Sequence, residues 1–292
     1  MNHSSTPVFP PPPRLALVIG SGGVRGASAI GVVDVLARAG LRPDLLIGCS
    51  SGAVFGAGLA LGLSSEELMR LVTRLWSQEL TQQRRWRAYA QLLAPKLAGF
   101  DRNFALRSER PIVQRLEAAF GDLQLQDMRL PLRVAATVAA TGAPAVIRRG
   151  SVVRAVQASM AVPFLWPSVD INGQRLVDGA LSDPLPVAAA SDALVVLALG
   201  FPGDMPRSLR RPASLVAQVS TSLINNLQQA RVAAAHARGQ TLIELAPVWP
   251  RRIGLWETRA LPLAFEAGRA AALSALPTIE RTLRTRVGRQ AA

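Results

Sequence analysis

In Gly48-Cys49-Ser50-Ser51-Gly52 two glycines bracket a serine, the spacing of a sharp strand-to-helix turn that exposes the hydroxyl. A serine hydroxyl is a weak nucleophile, so it needs a base within hydrogen-bond reach and donors for the oxyanion that forms on attack. Small residues also recur in ordinary turns, and the pentapeptide alone is compatible with a tight turn leading into a buried helix. Upstream, Gly20-Ser21-Gly22-Gly23-Val24-Arg25-Gly26 supplies backbone N–H groups with no side chain at Gly22 and Gly23, the makings of an oxyanion hole at a helix start. A phosphate loop is the rival use. The Gly-Lys-Ser/Thr ending of a P-loop is absent, and the third glycine of a dinucleotide fingerprint would fall at Arg25, so a nucleotide site is the weaker reading.

The base is less evident. The chain has two histidines, His3 in a proline-rich stretch and His236 in the Ala- and Arg-rich run ARVAAAHARG. A triad Ser50, Asp178, His236 follows one known chain order, but a histidine in such a helix more often serves packing or the surface, which leaves a carboxylate as the base. Asp178, in LVDGALSDPLPV (176–187), follows a short apolar stretch and precedes Gly179, as a side chain presented at a strand end would. Asp-Gly is equally a plain turn dipeptide.

These residues need a scaffold. Leu15–Ile19 reads as a buried strand ended by the glycine loop, Ala27–Ala39 as a helix stopped by Gly40, and Leu45–Ile47 as a second strand running into the serine turn. That βαβα order implies a parallel sheet covered by helices. Ser64 with Glu67 forms a capping-box pattern, and 64–117 reads as helical. Leu132–Ala140 and Ala145–Ile147 are strands flanking a Thr141-Gly142 turn, Ala193–Leu199 and Thr241–Leu245 are later strands, and 213–238 and 257–284 are helices. The 19 uncharged residues from Leu45 to Leu63 are long enough to span a bilayer, but their glycines and serines favour strand, turn and packed helix.

Together the motifs carry a resemblance. With GSGGVRG at 20–26, GCSSG at 48–52 and DGA at 178–180 in this order, and the approach AVQASMAVPFLWPSVDINGQRLVDGA before the last, the chain resembles the patatin-like phospholipases over residues 14 to 200. The resemblance implies a three-layer α/β/α fold with a mostly parallel central sheet. It also implies Ser50 as nucleophile between Gly48 and Gly52, Asp178 as its partner in a Ser-Asp dyad, and Gly22, Gly23 and Arg25 around the oxyanion. Ser21 and Asp183 depart from the family pattern, which often has Gly and Asn there. The implied activity is metal-independent hydrolysis of fatty-acyl esters of phospholipids or lysophospholipids, with no cofactor. The alternative is a family member whose main role is binding a membrane or partner.

The composition fits this reading. Net charge is +14, with Lys96 the single lysine among 33 basic residues, which suits contact with anionic lipid or reflects an Arg bias in composition. Nucleic acid is not expected as a partner, since charge alone supports it. One cysteine, Cys49, excludes an internal disulfide, and no signal-peptide pattern opens the chain, so a cytoplasmic site is expected, peripheral at the inner face of a membrane. Residues 1–13 read as a flexible proline-rich tail and 14–292 as one domain. Trp76, Trp86, Tyr89, Phe100 and Phe104 among Arg74, Arg84, Arg85, Arg87, Arg102 and Arg107 suit an interfacial surface or lid, or a solvated helix with core aromatics.

Overall fold

The computed structural model describes residues 13–206, 208, 210 and 212–291, so the proline-rich segment 1–12, with His3, lies outside them. The elements run β1 (Leu15–Ile19), α1 (Ser28–Arg38), β2 (Leu45–Cys49), α2 (Ser51–Ala60), α3 (Ser65–Leu75), α4 (Trp86–Leu93) and α5 (Arg110–Phe120). A second stretch follows with β3 (Leu132–Val138), β4 (Pro144–Ile147), α6 (Val152–Ser159), β5 (Val169–Ile171) and β6 (Gln174–Asp178). The last third holds β7 (Val195–Leu199), α7 (Pro212–Ala237), β8 (Leu242–Leu245) and α8 (Leu261–Ala291).

Among the described residues eight strands join one sheet, with hydrogen-bonded neighbours in the order β5-β6-β3-β2-β1-β7-β8 and β4 also on β3. The run β3-β2-β1-β7-β8 is parallel, whereas β4, β5 and β6 pair antiparallel. Strand alternation makes the layers. Leu15, Leu17 and Ile19 pack into one core with α1, α2 and α8, while Ala16 and Val18 face Val187, Ala190 and Ala235 of the opposite layer. Helices therefore cover both faces, as expected for a buried parallel sheet.

Several expected boundaries move. The span 45–63 is β2, the Ser50 turn and α2, and no helix of the described residues is long and apolar enough to cross a membrane. Ser64 and Glu67 form the capping box reciprocally at the start of α3. The reading of 64–117 as helical holds only in part: α3, α4 and α5 are separated by irregular segments, with Gly99 at a φ of +62 between the last two. The first strand of the hairpin stops at Val138, because Gly142, at positive φ, donates its N–H back to the Val138 carbonyl at 2.8 Å. Trp76 is not at an interface. It is 3% exposed, stacks on Trp256 with ring centroids 4.5 Å apart, and donates its indole N–H to the Leu255 carbonyl.

Candidate active site

The register of β3 explains how Ser50 and Asp178 meet. Residues 134–137 of β3 pair with β4, 132–135 pair with β2, and 136–138 pair with β6. A strand has two edges, so β2 and β6 share the edge that β4 does not use. They run head-on along it, Cys49 opposite Ala135 and Asp178 opposite Ala136. The two chain ends therefore abut, and a Cβ on Gly179 would stand 2.6 Å from the Ala135 carbonyl and 3.0 Å from the Cys49 sulfur.

At this junction Ser50 takes φ +54 and ψ −124, a strained conformation for a residue with a side chain, and caps the start of α2. Its Oγ donates to Asp178 Oδ2 at 2.7 Å. The backbone N–H of Ser50 donates to Ser159 Oγ at 2.8 Å, and Ser159 in turn donates to the Ala135 carbonyl. Ser159, fully buried at the end of α6, thus pins the turn to β3, a role that its setting in AVQASMAVP did not signal. Ser159→Ala would leave that backbone N–H without its partner, at an expected cost of about 1–3 kcal/mol. The check is the urea midpoint, which should fall with an unchanged slope.

Asp178 is 2% exposed. Burial pushes its carboxyl up to about 7, against the opposing pull of hydrogen bonds from the Ala180 N–H and the Ser50 hydroxyl. Thr137 holds the Asp178 carbonyl, and its own hydroxyl meets that of Ser182 at 2.7 Å. Asp183 is also pushed up by burial, to about 6, with Arg231 and Arg238 pulling it down. Arg231 stands 3.3 Å from Asp183 without hydrogen-bond alignment, and donates to the Ser182 carbonyl at 2.7 Å, tying α7 to the segment after Asp178. His236 is elsewhere: its exposed imidazole is 4.0 Å from Glu244, and no hydrogen bond joins it to Asp178. Among the described residues no group of His, Cys, Asp and Glu is arranged to hold a metal ion.

The glycine loop lies beside the serine. Gly22 donates its N–H to Ser51 Oγ at 3.1 Å, and Gly23 turns the chain at φ +64 against Leu255. Arg25 is buried and directed at the backbone, donating to the Gly22 carbonyl at 3.0 Å and to the Pro202 carbonyl at 2.8 Å. Its desolvated guanidinium therefore braces the loop. A cavity of about 530 Å³ opens over Ser50, Asp178, Gly22 and Gly23. Its other walls come from Phe201, from Thr221 and Ile224 of α7, and from Ile253 and Leu255. No local pattern in the sequence marks these later residues as part of the site.

The patatin-like phospholipase family model matches residues 17–191, which hold all three motifs. The chain belongs to this family. An uncharacterised NTE family protein of Mycobacterium bovis is 32% identical over 194 residues, covering 66% of this chain and 50% of that protein. Patatin-like phospholipase domain-containing protein 7 of Rattus norvegicus is 30% identical over 189 residues, 63% of this chain and 13% of the rat protein. The chain thus spans half or less of the length of these relatives. Among solved structures, VipD of Legionella pneumophila shares the fold at a TM-score of 0.50 and 15% identity, over 92% of this chain and 67% of that one.

Proposed function

We propose that the chain is a serine lipid acyl hydrolase that works through an acyl-enzyme on Ser50 with Asp178 as its base. The observation that carries this reading is the 2.7 Å hydrogen bond from the hydroxyl of a strained turn serine to a buried carboxylate, at the floor of a partly apolar cavity. Asp178 takes the hydroxyl proton as Ser50 Oγ attacks the ester carbonyl, then returns it to the leaving alcohol. The backbone N–H groups of Gly22 and Gly23 receive the oxyanion. For Gly22 this means exchanging the Ser51 hydroxyl for the substrate oxygen, and Arg25 keeps the loop in shape meanwhile. Water, deprotonated by the same carboxylate, then releases the fatty acid. A carboxyl near 7 is better matched to this task at neutral pH than an ordinary aspartate near ~4.

Contact with an anionic membrane is part of the same reading. It is supported by the net charge of +14 and by Leu215, Val216, Val219 and Leu223, exposed on the part of α7 whose Thr221 and Ile224 line the cavity.

Hydrolysis of p-nitrophenyl butyrate tests the chemistry. Only ionised Asp178 accepts the proton, so kcat/KM is expected to rise with pH and level off above about 7, with a nitrophenol burst proportional to enzyme. Absence of hydrolysis by folded protein, or a rate independent of pH across neutrality, would overturn the reading.

A further inference from the structure

The cavity over Ser50 has a neighbour of equal volume, about 530 Å³, on the far side of β6. Alternation along the strand sends Val177 into the second cavity and Asp178 into the first. Leu181 lines both. The segment before β5 divides in the same way, Val162 facing the first cavity and Pro163 and Phe164 the second. Leu181 and Phe164 are 53% and 65% exposed, so the ridge between the two mouths is apolar and open.

The second cavity is an aromatic trough with a cationic rim. Phe104 meets Phe164 edge-on with centroids 6.0 Å apart, and Trp166 closes the wall. Trp166 is 4% exposed, and its indole N–H has no acceptor among the described residues. Arg102 and Arg175 are the charged residues of the lining, which includes no carboxylate. Arg175 is held in place, donating to Ser168 Oγ at 3.1 Å and to the Arg102 carbonyl at 2.6 Å. An apolar trough with two arginines at its edge suits a molecule that is hydrocarbon at one end and anionic at the other.

We propose that this cavity is a second substrate subsite. With one ester of a two-chain lipid at Ser50, the other acyl chain passes over Leu181 into the trough, and Arg102 and Arg175 hold an anionic headgroup. The inference rests on the reading of Ser50 as the nucleophile, and it narrows the substrate class to anionic diacyl lipids.

Dihexanoyl phosphatidylglycerol and dihexanoyl phosphatidylcholine, kept as monomers so that no charged surface forms, are to be compared with p-nitrophenyl butyrate, which needs only the first cavity. The wild-type protein is expected to favour the glycerol lipid by about tenfold in kcat/KM, and Arg102→Ala to bring the two lipids close to parity. Ala139→Phe, which fills the trough from an exposed wall position, is expected to raise KM for both lipids several-fold. Both variants should leave the butyrate ester unaffected. Hydrolysis of the ester alone, equal wild-type rates on the two lipids, or parallel losses on all three substrates would overturn the subsite. A protein that hydrolyses none of the three fails as a nucleophile, and the subsite is then read by binding. Phosphatidylglycerol brominated on one chain is expected to quench a fluorescence component that Trp166→Phe removes, and the absence of such quenching would overturn it.

Discussion

Ser50→Ala and Asp178→Asn are both expected to lower ester hydrolysis by about 10³-fold or more, and Asp178→Asn is also expected to stabilise the fold above pH 7. The first removes the hydroxyl proposed to attack the ester. The second keeps the shape of the side chain: an amide oxygen still accepts from the Ala180 N–H, and the amide nitrogen faces Ser50 Oγ. What it loses is the capacity to take a proton. The stability effect follows from burial, which raises the native carboxyl from 3.8 to about 7. Below pH ~4 both native and unfolded states hold the proton, and the variant has no advantage. Between that value and about 7 the unfolded chain releases a proton that the native state keeps, so wild-type stability falls with rising pH. Above about 7 the native carboxylate is ionised in its desolvated site, and the full penalty, on the order of 4 kcal/mol, applies. Asn carries none of it. Urea midpoints across this range, with activity measured in parallel, check both halves. His236→Ala belongs in the same series and is expected to retain activity, since its imidazole faces Glu244. An inactive Asp178→Asn no more stable than wild type at pH 8 would mean that burial does not penalise the ionised carboxyl.

The parts of this molecule that were legible in its sequence are those in which a local pattern decides the structure. A short, wholly apolar run marked β1, the glycine cluster marked its end, and the Gly-x-Ser-x-Gly spacing marked the turn at Ser50. The capping residues at Ser64 and Glu67 placed the start of α3. Asp178 was different, because an Asp-Gly pair has the same local meaning in any turn. What distinguishes it is that β6 meets β2 head-on along β3, a pairing between residues more than a hundred positions apart. Trp76 stayed undecided between an interface and the core for the related reason that the ring it stacks on, Trp256, lies near the other end of the chain. The cavity walls from Phe201, α7 and Leu255 are likewise assembled by tertiary packing, so no spacing within them announces a site.

Gly52→Ala is expected to destabilise the protein by about 3 kcal/mol or more, while Gly56→Ala, one turn further along the same helix, stays within about 1 kcal/mol of wild type. The chemical change is the same at both positions, so the surroundings decide. A Cβ at 52 would lie 2.2 Å from the Ile19 carbonyl and 2.6 Å from that of Gly20, both backbone atoms at the end of the central strand β1. Neither can give way without drawing β1 from its partners β2 and β7. At 56 the nearest atom is the end of the Leu132 side chain, at 3.3 Å, which moves by rotation. The contact at Gly52 also joins the two halves of the site, because Ile19 leads into the loop of Gly22 and Gly23 while Gly52 follows Ser50 by two residues. Separating α2 from β1 would move Ser50 away from the proposed oxyanion donors at Gly22 and Gly23. Any folded Gly52→Ala protein is therefore expected to show a lower kcat on p-nitrophenyl butyrate, with the Asp178-dependent pH profile retained, because the Ser50–Asp178 pairing rests on β3 and not on β1. Equal urea midpoints for the two alanine variants would remove this account of why the turn needs its second glycine.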